Sequence, residues 1–184
     1  MDTIVFNLSI GCNFVQCGSL LSSGLPTATG DLAINGGSAH PFISGENLYR
    51  VLNPGAATVN ISNLDITKGS ADFGGGVRMI GTTLTLTNVK VLANHTTGNG
   101  SGGGIYVQSG TLTANNATFR NNGVGGFGGA IGQQGGSVTI IGGSFTNNTV
   151  DHRPQLRYAE QRRRGNRSPR LLRDVRRLAI QFLA

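Results

Sequence analysis

The acidic side chains of the first 150 residues are the first candidates for chemistry. The candidates are Asp31, Glu46, Asp65 and Asp72. Hydrolysis of a glycosidic bond needs two carboxyl groups that face each other across that bond. Elimination from an acidic sugar needs a base, commonly beside carboxylates that hold calcium. No two of these acids align on adjacent repeats in the register described below, so the spacing gives paired-carboxylate chemistry little support.

The histidines and cysteines give no metal site. His40, His95 and His152 lie in or near predicted loops and have no acidic partner close in sequence. Cys12 and Cys17, the only two cysteines, have a spacing that permits a small disulfide-closed loop, which would suit an exported protein; two ordinary thiols are the alternative. Zinc has weak support because no pair of histidines matches the cysteines. We therefore predict no metal and no cofactor.

Three other residues could recognise a partner without covalent chemistry. Arg78 and Tyr106 occupy equivalent outward positions of successive repeats, and Gln108 is close by. An arginine beside a tyrosine can hold a sugar ring or an acidic group of a partner. Ordinary solvated strand residues are the alternative. These three residues form the predicted binding site.

A repeat of about 25 to 28 residues must position all these side chains. The superposable copies are residues 74–94, 102–122 and 128–148, preceded by a half copy at 59–69. A repeat of this length indicates one structural unit that stacks on itself, with insertions confined to one loop per copy. The expected interaction edge is therefore formed by the variable loops, at residues 70–76, 95–104 and 123–130.

Within each copy apolar and polar residues alternate, which predicts short strands with one buried face. Three short strands in about 25 residues cannot form a propeller blade. They predict instead an all-β, right-handed parallel β-helix of about five to six coils over residues 1–150, with strands about 4.8 Å apart. Equivalent strands begin at Val59, Leu84, Leu112 and Val138, with Ile4 and Leu32 as earlier equivalents.

Glycine and asparagine mark two corners of each coil. Glycines before each first strand predict tight turns with positive φ and close stacking of coils. Asparagine tolerates the left-handed region, and its side-chain amide can bond the asparagine one coil above. We interpret this second corner as a structural ladder and not as a binding site. The predicted structural residues are Gly75, Gly103, Gly129, Asn94, Asn122 and Asn148.

The positive charge of the chain is confined to its C-terminal part. The net charge is +7, yet residues 1–150 contain five basic and five acidic residues, whereas residues 151–184 contain ten arginines and three acids. The repeat stops just after Asn148. This basic tail is either a capping helix that starts at Ser168 and Pro169 or a segment translated out of frame. Nucleic-acid binding is not favoured, because charge alone is weak support for it.

Two signals of membrane targeting are absent from the sequence. There is no run of 18 apolar residues, so no transmembrane segment is predicted. No signal peptide is visible, because the chain begins inside the strand pattern. We expect the chain to be a fragment of a longer secreted precursor.

The corners and strands resemble those of a known group of proteins. GGA-I and GGG-I/V corners at 74–77, 102–105 and 128–131, with F-x-x-N segments at 119–122 and 145–148, resemble the repeats of chlamydial polymorphic outer membrane proteins. They also resemble related bacterial right-handed β-helix surface proteins.

The N-terminal part carries a second resemblance. DTIVFNLS at 2–9 and DLAING at 31–36 resemble the start of large bacterial secreted β-helix proteins with a CSLREA-type domain, although that element is absent here. Together the resemblances cover about residues 2–150. They imply export, an extracellular or bacterial cell-surface location and, in some members, adhesion, and they bring no catalytic residues.

The expected function is that of a secreted or cell-surface repeat protein. Its role would be structural or adhesive, or contact with a polysaccharide or a host or cell-surface protein, without an evident catalytic site. A polysaccharide lyase or hydrolase is the alternative, because the same fold carries such enzymes. Ice binding is a third hypothesis, based on hydroxyl ranks at Thr83/Thr85, Thr111/Thr113 and Ser137/Thr139.

Overall fold

A computed structural model describes residues 2–5, 18–55, 57–150 and 180–182 and shows a parallel β-solenoid of about five turns. Neighbouring strands within these residues run parallel because each turn returns the chain to its starting point one coil further along. The predicted fold class is confirmed. Cys12, Cys17, His152 and the tail residues 151–179 lie outside the described residues.

The strands are short, as the alternating pattern predicts. They are β1 (Asp2–Val5), β2 (Gly18–Leu20), β3 (Leu32–Asn35), β4 (Phe42–Ser44), β5 (Thr58–Thr67), β6 (Ser70–Ala71), β7 (Val77–Met79), β8 (Thr82–Leu92), β9 (His95–Thr96), β10 (Ile105–Val107), β11 (Gly110–Asn115), β12 (Thr118–Arg120), β13 (Gly123–Val124), β14 (Ile131–Gln133), β15 (Ser137–Ile141), β16 (Ser144–Thr146), β17 (Thr149–Val150) and β18 (Ile180–Phe182). A single turn of 3-10 helix, Gly37–Ala39, precedes β4.

Three sheets run along the solenoid. The largest follows the order β1-β3-β5-β8-β11-β15 and also includes β2, β4, β12 and β16. The second is β7-β10-β14-β18, and the third, which the sequence pattern did not predict, is β6-β9-β13-β17. In β5 and β8 two predicted strands run together and bend at Asn63 (φ 52°) and Asn88 (φ 53°). Asparagine suits such bends because it tolerates positive φ.

The register of the repeat agrees with the sequence in the central coils. Leu84 is level with Val59 on one side and Leu112 on the other, and Leu112 is level with Val138. The N-terminal register was wrong by two residues, because Ile4 is level with Ile34 and not with Leu32. A shift of two residues preserves the alternation of faces, so the hydrophobic pattern alone could not detect it.

The inward side chains form one continuous apolar core. The fully buried members include Leu64, Ile66, Val77, Met79, Leu84, Leu86, Val89, Val91, Ile105, Val107, Leu112, Phe119 and Ile131. Phe119 stacks on Phe145 of the next coil, with ring centroids 4.8 Å apart and planes 5° apart. Burial of these rows supplies the main stabilising free energy of a solenoid. Each coil contacts only its neighbours, so this free energy is gained between adjacent coils.

In each glycine corner, positive φ and close stacking belong to two different glycines. Positive φ belongs to the first glycine of each corner, namely Gly74 (60°), Gly102 (67°) and Gly128 (68°). Gly75, Gly103 and Gly129 are needed instead for close stacking; a Cβ on Gly129 would lie 2.6 Å from the Thr149 carbonyl oxygen. Positive φ and close stacking, both predicted for the glycines before each first strand, are thus found at neighbouring residues of the same corner.

The asparagine corner contains a similar displacement. Asn94 and Asn122 are fully buried, and Asn94, Asn122 and Asn148 hydrogen-bond to one another from coil to coil. Positive φ is found at the preceding residues, Ala93, Asn121 and Asn147. The left-handed residue therefore turns the chain so that the side chain of the following asparagine points inward, towards the next coil.

At the C-terminal end, the described residues Ile180–Phe182 form β18, which pairs with β14. These three residues are therefore in a strand and not in the capping helix considered as one alternative. The described part of the chain contains no helix long and apolar enough to cross a lipid bilayer.

Candidate binding face

The outward side of the second sheet brings the predicted binding residues together. Arg78 on β7 is level with Tyr106 on β10. Gln108 follows Tyr106 by two residues, so it occupies the next outward position. Arg78 Nη2 donates a 3.0 Å hydrogen bond to Oε1 of Gln108, one coil further along. Tyr106 Oη makes the equivalent step and donates a 2.7 Å hydrogen bond to Oε1 of Gln134. We name the surface formed by Arg78, Tyr106, Gln108 and Gln134 the Arg–Gln face.

The hydrogen bond from Arg78 fixes the orientation of the Gln108 amide. A guanidinium group can only donate, so the atom facing it must be the carbonyl oxygen of the glutamine. The Nε2 donor of Gln108 is consequently directed away from Arg78. Gln108 and Arg78 are half-buried and Gln134 is exposed, so the face presents polar groups to solvent.

Tyr106 does not offer its ring to a ligand. It is only 5% exposed, and the Phe73 ring lies against it with a centroid distance of 4.9 Å. A sugar therefore cannot stack on this ring, because the loop of the preceding coil covers it. Burial raises the pKa of the Tyr106 phenol, and the nearby charge of Arg78 opposes that rise.

Arg50 holds the loop that covers Tyr106. Its Nη2 donates 2.9 Å to Asp72 Oδ1 and 3.0 Å to the Phe73 carbonyl, and its Nε lies 3.1 Å from the Gly74 carbonyl. These bonds fix residues 72–74, so Phe73 packs on Tyr106 and the Tyr106 hydroxyl in turn orients Gln134. Arg50 thus positions the face without being one of its exposed groups.

The charge of Arg78 acts on the guanidinium group of Arg50 beside this face. Burial lowers the pKa of Arg50, the Asp72 carboxylate opposes that effect, and the neighbouring charge of Arg78 lowers the pKa further. The Asp72 carboxylate, 67% exposed, reduces the repulsion between Arg50 and Arg78 from the solvent side of Arg50. An additional anion near Arg78 would relieve the repulsion further.

A second polar cluster joins three coils on the outer side of the first sheet. Asp65 on β5 is level with Lys90 on β8, as the register predicts. Its Oδ1 lies 2.7 Å from His40 Nε2 and 3.5 Å from Lys90 Nζ. Asp65 is 1% exposed, so this is a buried carboxylate and not part of a solvated surface pair. His40 therefore does have an acidic partner, supplied from the next coil.

The loop that ends at Pro41 produces this burial. His40 adopts a left-handed conformation (φ 46°), which turns its ring over the strand, and the Pro41 carbonyl accepts the Asp65 N–H at 2.8 Å. A carboxylate that holds one imidazole nitrogen leaves the other nitrogen available as a base. This arrangement can orient a proton acceptor as well as close the coil.

The other candidate acids remain apart. Asp31 accepts the Thr58 N–H at 2.9 Å, Glu46 pairs with the Ser44 hydroxyl, and Asp72 pairs with Arg50. Among the described residues no three His, Cys, Asp or Glu side chains gather in a group that could hold a metal ion. Asp31 and Asp72 instead tie a loop to a neighbouring coil, whereas Glu46 acts within its own turn.

The hydroxyl ranks considered for ice binding form a regular outer surface. Thr83, Thr111 and Ser137 are exposed and level with one another, and Thr58 extends the rank by one coil. Ser137 Oγ lies 3.2 Å from Thr111 Oγ1, so neighbouring hydroxyls also bond within the rank.

Several residues of the site were missed by sequence reasoning. Gln134 lies 26 residues after Gln108, which is the step from Leu112 to Val138, so the repeat register could have found it. Asn63 Nδ2 bonds Asn35 Oδ1 and Asn88 Nδ2 bonds Asn63 Oδ1, an outer asparagine ladder that the same register could also have revealed. Arg50 and Phe73 left no such signal, because they lie in segments outside the rigid repeat.

Comparisons of the chain with protein-family models, with curated proteins and with solved structures found no match.

Proposed function

We propose that this chain is a secreted or cell-surface β-solenoid that binds an acidic polysaccharide through the Arg–Gln face. The observation that supports it best is the pair of coil-to-coil hydrogen bonds, Arg78 to Gln108 and Tyr106 to Gln134. They preset the glutamine amides, so little side-chain entropy is lost when a ligand binds.

The chemistry of the face favours a polymer with carboxylate groups. Arg78 supplies a positive charge that also acts on Arg50, whose own carboxylate partner is Asp72. Gln108 and Gln134 supply amide groups in successive coils, about 4.8 Å apart along the solenoid. Hydroxyl and carboxylate groups that recur along a sugar chain can bond to such a repeating row.

The test measures binding of the whole chain to soluble polygalacturonate, alginate and hyaluronan, with neutral dextran as the reference polymer. The change Arg78→Gln should weaken binding to the acidic polymers about tenfold and reduce its salt dependence, because one charge-assisted contact is lost. Arg120→Gln is the matched control, since it removes the same charge from an exposed position on β12. Equal losses in the two variants, or no binding to any acidic polymer, would refute the proposed face.

The contact of 2.7 Å between His40 and Asp65 favours a second function, cleavage of an acidic polysaccharide by elimination. His40 would remove the proton next to the sugar carboxylate, the adjacent C–O bond would break, and the released oxygen would take up a proton from water. Asp65 would stabilise the imidazolium and Lys90 would attract the carboxylate of the substrate.

Incubation of the chain with the same acidic polymers, with and without calcium, distinguishes cleavage from binding. An unsaturated product with ultraviolet absorbance that disappears in His40→Gln and Asp65→Ala would support the enzyme. Asp72→Ala is the comparison that tests the other acid, and its exposed carboxylate contacts only the loop and Arg50 among the described residues. Binding without any product would leave the polysaccharide-binding function alone.

A further inference from the structure

A partly open apolar cavity of about 240 Å³ lies in the N-terminal part of the solenoid. Inward side chains of β3, β4 and β5 form its walls, including Ile34, Ile43 and Val59. The segment 25–28 closes another side, and we name it the strap. The cavity is separate from the Arg–Gln face, which belongs to the outer side of β7, β10 and β14.

Small side chains in one inward column create the space. Ala28 is level with Pro54, and Leu52 is level with Val77. Two residues further along, Pro54 therefore comes level with Met79, which pairs with Val107. Where the later coils place methionine and valine in this column, the described residues of the N-terminal coils place proline and alanine. This difference in side-chain volume accounts for the cavity.

Hydrogen bonds hold the strap in place from its edge. The Gly55 N–H donates to the Ala28 carbonyl at 2.9 Å, and Asn53 Nδ2 donates to Thr27 Oγ1 at 2.8 Å. Thr27 and Asn53 are the polar side chains among the lining residues, and they bond to each other. A buried water needs two to four polar partners, so this lining favours an apolar occupant over water.

We propose that the cavity binds a small apolar molecule about the size of two fused aromatic rings. An apolar cavity of about 150 Å³ in another protein stays dry and binds benzene. The cavity here is larger by roughly one further ring. Binding would restore the contacts that Ile34, Ile43 and Val59 lack on that side.

The test uses thermal unfolding of the full chain with benzene, naphthalene or anthracene as probes. Naphthalene should raise the melting temperature by several degrees, and the other two should raise it less, because one is too small and the other too long. Ala28→Leu should fill the cavity, raise the melting temperature by itself and abolish the naphthalene effect. Thr29→Leu is the matched control, since it adds the same side chain at an exposed neighbouring position and should keep the effect.

A second measurement keeps the proposal testable if Ala28→Leu does not fold. In the unchanged chain, nuclear Overhauser contacts should connect naphthalene protons with the methyl groups of Ile34 and Ile43. The proposal is overturned if naphthalene neither shifts the melting temperature nor shows these contacts. It is equally overturned if folded Ala28→Leu keeps the full naphthalene effect.

Discussion

Asn94 Nδ2 donates a 3.0 Å hydrogen bond to Oδ1 of Asn122, which lies 28 residues later and one coil further along. Asn122 Nδ2 then donates 2.9 Å bonds to Asn148 Oδ1 and to the Val91 carbonyl. The Asn122 oxygen also accepts the Asn94 N–H at 3.1 Å. The buried amide of Asn122 is therefore satisfied by the coils on both sides, and it ties three coils in one register.

We predict that Asn122→Ala will lower the free energy of unfolding by about 2–3 kcal/mol, because it leaves buried donors and acceptors without partners. Urea unfolding measures the change. The matched control is Asn115→Ala on β11, an outward strand residue, which should stay within about 0.5 kcal/mol of the unchanged chain. Similar losses in the two variants would contradict the role of the ladder.

The glycine corners permit a comparison of two positions with the same backbone conformation. Gly98 (φ 61°) has open space where a Cβ would lie, whereas a Cβ on Gly102 (φ 67°) would lie 2.7 Å from the Tyr106 Cα. We predict that Gly98→Ala will cost about 1 kcal/mol from the left-handed conformation alone. Gly102→Ala should cost about 3 kcal/mol or more, since the close backbone must also move. Equal costs in chemical denaturation would show that the corner is not tightly stacked.

The sequence predicted the central coils because two periods agree there. Alternation along each strand places Leu84 and Leu112 on the same inward face, and the repeat places them level with each other. A register error of one residue would have exposed every core side chain, so the pattern excludes it. At Ile4 the pattern contains too few repeats to exclude a shift of two.

The parts that were not predictable depend on loops without a counterpart in the repeat. His40 reaches Asp65 because a left-handed residue before Pro41 turns back over the strand. Phe73 covers Tyr106 because Arg50 fixes the loop that carries it. Neither contact follows from periodicity, since loop conformation depends on tertiary hydrogen bonds. The candidate residues Arg78 and Gln108 were predicted by register alone, but the accessibility of Tyr106 was not.

The cluster of His40, Asp65 and Lys90 predicts a non-additive loss of stability. Asp65 is 1% exposed, whereas the side chains of His40 and Lys90 are 21% and 44% exposed. Either His40→Asn or Lys90→Met leaves one partner beside the carboxylate and should cost about 1 kcal/mol. The double variant leaves the buried charge without either partner and should cost about 3–5 kcal/mol, more than the sum. Asparagine is chosen at position 40 because the left-handed backbone there tolerates it.

Two further variants separate charge burial from a general loss of side chains. Adding Asp65→Asn to the double variant should recover about 1 kcal/mol or more, because a buried charge that has lost both His40 and Lys90 is replaced by a neutral amide. Lys68→Met removes an exposed lysine that follows β5 and should change the stability by less than about 0.5 kcal/mol. Strict additivity of His40→Asn and Lys90→Met in urea unfolding would show that the two side chains do not share one buried carboxylate.

The burial of Tyr106 predicts a decrease of stability at alkaline pH. Because burial raises the pKa of this phenol above its value in the unfolded chain, about 10, the unfolded state releases the proton first. The associated stabilisation is therefore fully present below about pH 10 and is lost as the pH rises through the folded-state pKa. Tyr106→Phe should lose about 1 kcal/mol at neutral pH with the bond to Gln134, yet show a flatter decline above about pH 10. Urea unfolding between neutral and alkaline pH, with tyrosinate absorbance by difference, measures both effects; parallel declines would contradict the buried phenol.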